Sequence, residues 1–441
     1  MDGRLKTGSL AVARAGAPKF FGWRVVAGAF VLAIFGWGVG FYGPPVFLHV
    51  VAERTGWPVA LVSGAVTCHF LAGAFAVANL PRLYRWIGLP LTTSLGALAL
   101  ALGIFGWAEA ATPRQLFLAA FFSGIGWVSM SAAALNAIVA PWFVRSRPAA
   151  LTMAYNGASI GGIVFSPLWV ALIARLGFAE AAGLVGIVML AVIWLLSCTV
   201  FSRTPESLRQ TPDGDGRGKA SANAAATARA PLPGRLLWRD RRFLTLAAGM
   251  ALGLFAQIGL IAHLFSLLVP ALGAQAAGLA MGMATAFAIA GRSLVGWLMP
   301  THADRRLVAS ASYGVQIAGS LVFILAGGTD IPLLLTGVAL FGAGIGNATS
   351  MPPLIAQVEF AKEDVQRVVS QIVAAAQASY AFAPAAFGAI RALSPPASAT
   401  APEHATLFFA VAASVQLAAI GCFMLGRGPE PDRLKRARHE T

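Results

Sequence analysis

Arg292 is the residue in this sequence with the most chemistry to offer. It stands in Met283-Ala-Thr-Ala-Phe-Ala-Ile-Ala-Gly-Arg-Ser-Leu-Val-Gly-Trp-Leu-Met299, a stretch that carries no other charge. A cation in hydrocarbon costs at least about 2.5–3.5 kcal/mol, so it is expected to face a partner, a ligand or a water-filled space. No Asp or Glu lies deep in any long apolar run; Glu109, Glu180 and Glu359 stand only at the ends of such runs. An anionic ligand is then the natural counter-charge. A guanidinium grips a carboxylate through two parallel hydrogen bonds, and Ala288, with Val295 or Gly296, leaves room on the same helix face. Thr285 lies two turns back on that face. Two other uses stay open. Arg292 is only about 10 Å of helix from Met299 and could snorkel to the membrane surface, or it could lock helices together by bonding neighbouring carbonyls.

Other polar groups in apolar runs could share the work. Tyr42, His263, Asn347, Gln377 and Tyr380 are the candidate substrate contacts beside Arg292. Gln377, Tyr380 and Pro384 share one helix face by i, i+3, i+7 spacing, which aims a polar stripe in one direction. Hydrogen bonds between helices account for such groups equally well. His263 and His69 are neutral near physiological pH unless paired, and an interior hydrogen-bonded histidine is as natural a reading as a proton carrier. Cys68, Cys198 and Cys422 all lie in apolar runs, so neither a disulfide framework nor a metal-ligand spacing is present. The runs Gly36-x-Gly38-x-Gly40 and Gly342-x-Gly344-x-Gly346 mimic a dinucleotide fingerprint, but no strand precedes them; they read as close helix packing. No cofactor is expected. No cluster of acid, histidine and nucleophile stands at enzyme-like spacing, so an enzyme is not expected.

The elements that must position these groups are membrane spans. Of 441 residues, 58% are hydrophobic and 11% charged, with a mean hydropathy of +0.74. A soluble chain would carry roughly 25% charged residues. Runs of about 20 apolar residues, enough to cross a bilayer, occur near 25–51, 59–80, 89–110, 115–140, 149–176 and 179–201. After a hydrophilic stretch they resume near 243–270, 274–299, 307–326, 331–358, 368–392 and 405–425. The expectation is an all-α membrane protein of twelve transmembrane helices in two six-helix bundles. Its domains are 1–201, a cytoplasmic linker 202–242, and 243–441.

Charge sets the orientation. The net charge of +15 invites a nucleic-acid reading, but the basic residues gather in short loops between spans. With both termini cytoplasmic, only Arg54, Arg114, Arg175 and Arg391 fall in outer loops and Arg292 within a span; the other 27 of 32 lie inside. The linker is rich in Ala, Gly, Pro and Arg and reads as flexible. Its end, Arg235-Leu-Leu-Trp-Arg-Asp-Arg-Arg242, reads as a short amphipathic surface helix or a basic tether. Gly124-Ile-Gly126 returns as Gly344-Ile-Gly346, Arg85 as Arg305 and Arg147 as Arg367, each 220 residues on. That offset supports two parallel repeats. Gly43-Pro44-Pro45, Met351-Pro352-Pro353 and Ala383-Pro384 should kink or loosen their spans. Trp23, Trp57, Trp86 and Trp238 sit where interfacial tryptophans belong.

Twelve spans, a central linker and a parallel repeat resemble the major facilitator superfamily over essentially the whole chain. Finer motifs resemble its monocarboxylate-transporter and oxalate:formate-antiporter branch. These are Gly22-Trp23-Arg24-Val25 before the first span, Trp142-Phe143-Val144-Arg145-Ser146-Arg147 leading into the fifth, and Ala290-Gly291-Arg292-x-x-x-Gly296 in the eighth. In that branch the arginine of the eighth span binds the substrate carboxylate. The pattern also departs from the family. Leu80-Pro-Arg-Leu-Tyr-Arg-Trp-Ile-Gly88 lacks the aspartate of the loop motif after the second span. Ala288 replaces the acid that proton-coupled relatives keep one turn before the arginine. Tyr42 stands near their first-span lysine position, and the eleventh span has no lysine. The resemblance implies a multi-pass transporter working by alternating access; with Arg292 as anchor, the expectation is a monomer in a bacterial inner membrane that carries a small organic anion, a monocarboxylate. Nucleotide hydrolysis is not expected, since no nucleotide-binding motif is present, nor a carboxylate proton relay, since no acid lies deep in a span. Efflux of amphiphilic compounds is the alternative, and a non-transporting membrane sensor a more distant one.

Overall fold

The computed structural model describes residues 20–214, 234–300, 303–393 and 405–427, and every regular element among them is helical. The first six spans are Gly22–Thr55, Val59–Ile87, Leu89–Glu109, Pro113–Val139, Arg147–Leu176 and Phe178–Phe201. Spans seven to nine are Arg241–Leu272, Ala274–Leu298 and Arg305–Ala326. Spans eleven and twelve are Glu363–Ala392 and Thr406–Leu425. The tenth differs from the expected single run 331–358. It breaks after Ile331–Ile345 and resumes as Met351–Glu359. The break follows from Pro352 and Pro353, which lack the N–H groups that a continuous helix needs. Eleven helices are thus long and apolar enough to cross a membrane, and the broken tenth completes the count of twelve.

Each set of six packs on itself. Span one lies against span five, three against four and six, and two against four; the later set repeats this with seven on eleven, nine on ten and twelve, and eight on ten, and adds seven on twelve. Between the sets, five packs on eight, two on eleven and one on seven. These last contacts gather at the end away from the linker. Ser63 faces Gly388, His49 stacks edge-on against Phe265 at 5.3 Å, and the Thr67 hydroxyl accepts a 3.0 Å bond from the Ala385 N–H. The halves therefore meet mainly on the far side.

The linker departs from the expected flexible tether. Residues 202–214 are docked on the first six spans. The Asp213 carboxylate accepts from the backbone N–H groups of Val144, Arg145 and Ser146, at 2.8–3.1 Å, just before span five begins. Gln210 accepts from the Phe21 N–H at the foot of span one. Residues 215–233 lie outside the described residues. The expected helix over 235–242 shrinks to Gly234–Leu237, because Asp240 caps a new helix whose first residue, Arg241, already opens span seven. Trp238, exposed as expected of an interfacial residue, packs edge-on against Phe243 at 5.0 Å.

Asp213 gives a first test. Burial works to raise its carboxyl, but the N–H groups of Arg145, Ser146 and Val144 and the Ser146 hydroxyl outweigh it and hold it below the ordinary aspartate value. With the folded value depressed, its contribution is complete above about pH 4 and fades as pH falls through the lower folded value. At neutral pH, Asp213→Ala is expected to speed tryptic cleavage of the Arg145–Ser146 bond about fivefold, the worth of a cap of about 1 kcal/mol. Mass spectrometry of that fragment measures the effect; an unchanged rate would mean that the linker does not hold this loop.

Candidate functional site

The site begins where span one breaks. Helix Gly22–Gly40 ends and Gly43–Thr55 begins two residues later, because Pro44 and Pro45 cannot donate to the preceding turn. The Gly40 carbonyl, whose helical donor is the missing N–H of Pro44, takes a 2.9 Å bond from His69 Nε2 instead. Trp169 Nε1 donates to the Gly38 carbonyl at 3.1 Å. Freed carbonyls inside a membrane need such partners. His69 Nδ1 bonds with Ser123 Oγ at 2.8 Å, so both of its ring nitrogens are engaged by the protein. The break leaves Tyr42 between the two helical pieces, where its side chain lies against Gly162 of span five and Thr285 of span eight. A side chain at Gly162 would occupy the place of the Tyr42 ring.

Arg292 follows Thr285 two turns along span eight, within electrostatic reach of Tyr42. Its helix face settles where it points. Thr285 and Ala288, both buried, lie within about 40° of it at 100° per residue. The exposed apolar side chains Met283, Phe287, Leu294, Trp297 and Leu298 lie on the opposite side, about 140–240° round. Those residues suit lipid. Arg292 therefore lies on the interior side of its helix, away from these lipid-suited side chains. A snorkelling arginine would share the face of Leu294 and Trp297.

The guanidinium is partly engaged. Arg292 Nε donates to the Gly346 carbonyl at 2.9 Å, at the break of span ten. The bond requires close backbones: a Cβ at Gly346 would overlap the Ala288 carbonyl, so only glycine fits. The helix-locking use raised by the sequence is therefore real for one nitrogen. The two terminal nitrogens make no protein hydrogen bond among the described residues. A guanidinium with both terminal nitrogens free of protein hydrogen bonds keeps the fork that a carboxylate takes end-on.

The other sequence candidates divide. Tyr42 joins Arg292. Asn347 follows Gly346 in the break of span ten and is buried there. Gln377 and Tyr380 are half-buried on span eleven, with the Tyr380 ring edge-on to Phe70 of span two at 6.0 Å. His263 does not join them. It is fully buried, its Nε2 3.0 Å from the Pro384 carbonyl and its Nδ1 3.2 Å from Arg391 Nη1. Since arginine only donates, Nδ1 accepts and the proton sits on Nε2, which gives a neutral ring with both nitrogens used. Arg391 itself corrects the sequence reading. It is not an outer-loop residue but a buried one at the end of span eleven, donating to Ser266 Oγ at 2.6 Å. The signal was present: Arg391 stands seven residues after Pro384 and extends the stripe of Gln377 and Tyr380.

Comparison with known proteins gives the same fold. The description "Major Facilitator Superfamily" matches residues 26–384. Among solved structures, the chain is similar to the nucleoside transporter NupG, with a TM-score of 0.71 at 14% identity, over 92% of this chain and 98% of that one. It is also similar to a bacterial homologue of the human lysosomal transporter Spinster, in an inward-facing and occupied conformation. That likeness has a TM-score of 0.65 at 14% identity, over 93% of this chain and 97% of that one. Comparison with curated protein sequences gives no match.

Proposed function

The chain belongs to the Major Facilitator Superfamily, and from that premise we propose that it carries a small organic anion, a monocarboxylate, with Arg292 as the anchor. It is a multi-pass membrane transporter and not an enzyme. One observation carries the anion reading: Arg292 shares the interior face of its helix, and among the described residues its two terminal nitrogens have no protein hydrogen bond and no acid pairs with it. Tyr42 lies within reach to orient the bound group, with Gln377, Tyr380 and Asn347 completing the candidate set. The units 1–201 and 243–441, joined by the linker 202–242, would rock about the anchor, closing the linker side and opening the far side. His69 and His263 spend their ring nitrogens on protein partners. Exchange or uniport therefore fits better than a proton step at either of these two.

The test is a thermal-shift screen of the purified protein against organic anions and uncharged amphiphiles. A ligand of the native state raises apparent stability by about 2.7 kcal/mol at one hundred times its Kd. Monocarboxylates are expected to raise the melting temperature; a response to uncharged amphiphiles alone would replace this reading with efflux of such compounds.

Orientation is part of the proposal. The basic residues of the loops support termini and linker on the cytoplasmic side, and the membrane proposed is a bacterial inner membrane. A single cysteine at Ser207 is expected to react with a membrane-impermeant maleimide only after permeabilisation, and one at Arg114 in intact cells. The opposite pattern would invert the topology.

A further inference from the structure

A run of aromatic rings begins in the break of span one and continues across the first half to the second. Phe41 meets Tyr42 at 5.1 Å, Phe70 at 6.1 Å and Trp127 at 6.3 Å between ring centroids. Phe70 in turn meets Trp127 at 5.7 Å and Tyr380 at 6.0 Å. The rings come from spans one, two, four and eleven, so no single helix periodicity explains them. Their exposure is graded. Phe70 and Trp127 are buried behind, whereas Phe41, Tyr42 and Tyr380 keep part of their surface open. The rings run from the first half to the second, and Tyr42 among them lies against Thr285, two turns of span eight from Arg292. Trp127 Nε1 is buried without a protein partner among the described residues.

We infer that the transported anion is an aryl carboxylate, its carboxylate on Arg292 and its ring against Phe41 and Tyr380. This deepens the anion reading and rests on it. A ring presented to such a wall gains edge-to-face and offset contacts beyond what its buried area supplies, whereas a saturated ring of similar size gains only the area. A two- or three-carbon acid leaves the wall uncovered. Tyr42 stands at the joint, its ring in the aromatic run and its hydroxyl end towards Thr285, which sets the distance between anion anchor and ring surface.

The experiment compares benzoate, cyclohexanecarboxylate and acetate on the purified full-length protein by isothermal titration calorimetry. The three carry the same charge, so Arg292 alone cannot rank them. Benzoate is expected to bind about tenfold tighter than cyclohexanecarboxylate, and acetate weakest. Phe41→Leu should narrow the ratio of benzoate to cyclohexanecarboxylate affinity; the wild-type ranking needs no variant and stands even if this one fails to fold. Cyclohexanecarboxylate equal to or tighter than benzoate, or acetate tightest, overturns the aryl inference and leaves the anion reading in place. If none of the three binds, both fall.

Discussion

Glu359→Gln is expected to lower the stability of the empty protein by about 3 kcal/mol. The Arg306 guanidinium is almost fully buried, 1% exposed, and takes both Glu359 oxygens through Nε and Nη2, at 2.8 and 2.9 Å. The same guanidinium donates to Thr245 Oγ1 and to the Arg242 and Phe423 carbonyls. One cation thus ties the linker-side ends of spans seven, nine, ten and twelve. Removing the acid leaves a buried charge with only neutral acceptors, which costs far more than the pair was worth. Those acceptors and the 21% exposure of the Glu359 side chain hold the cost at the lower end of the usual range. The double variant Arg306→Met/Glu359→Leu should recover much of the loss, since no charge is then buried. Melting curves of the three proteins measure this. A Glu359→Gln protein that melts like wild type would show that the cluster does not hold these helices.

Most of the fold was legible because a bilayer leaves few choices. Twenty apolar residues bounded by basic loops read as a spanning helix, and twelve such runs stand in the sequence. The helix ends were less legible. Span two runs on to Ile87, seven residues past the apolar run that ends at Leu80, because Arg82 and Arg85 are exposed and tolerated at its linker-side end. The proline signals named real breaks at Pro44, Pro352 and Pro384. What they could not show is who satisfies the freed carbonyls: His69 and Trp169 reach span one from elsewhere in the chain. Asp213 looked like part of a low-complexity stretch, since its three N–H partners lie almost seventy residues earlier. Arg292 was found as an isolated charge, and the alternatives left open for it could be separated only by its face and by the Gly346 carbonyl. The aromatic run was invisible, because its rings come from four spans whose spacing encodes no contact.

Arg292→Gln is expected to reduce carboxylate affinity by at least about a hundredfold. Two charge-assisted hydrogen bonds are lost, each worth about 1.5–3 kcal/mol, along with the counter-charge. Arg292→Lys keeps the charge but not the planar fork, so it should fall between wild type and Gln. The empty protein should change little. The single bond to the Gly346 carbonyl is worth about 0.5–1.5 kcal/mol or somewhat more for a charged donor, and relief of a charge held in a membrane offsets it. A purely helix-locking arginine predicts the reverse, with lower stability in both variants and unchanged affinity in whatever protein remains folded.

The most direct test is therefore the melting temperature of wild type, Arg292→Lys and Arg292→Gln, each with and without saturating benzoate. The three empty proteins are expected to melt within a few degrees of one another, with the benzoate-induced rise largest in wild type, reduced in Arg292→Lys and absent in Arg292→Gln. A full benzoate-induced rise in Arg292→Gln would contradict the claim that this arginine holds the anion.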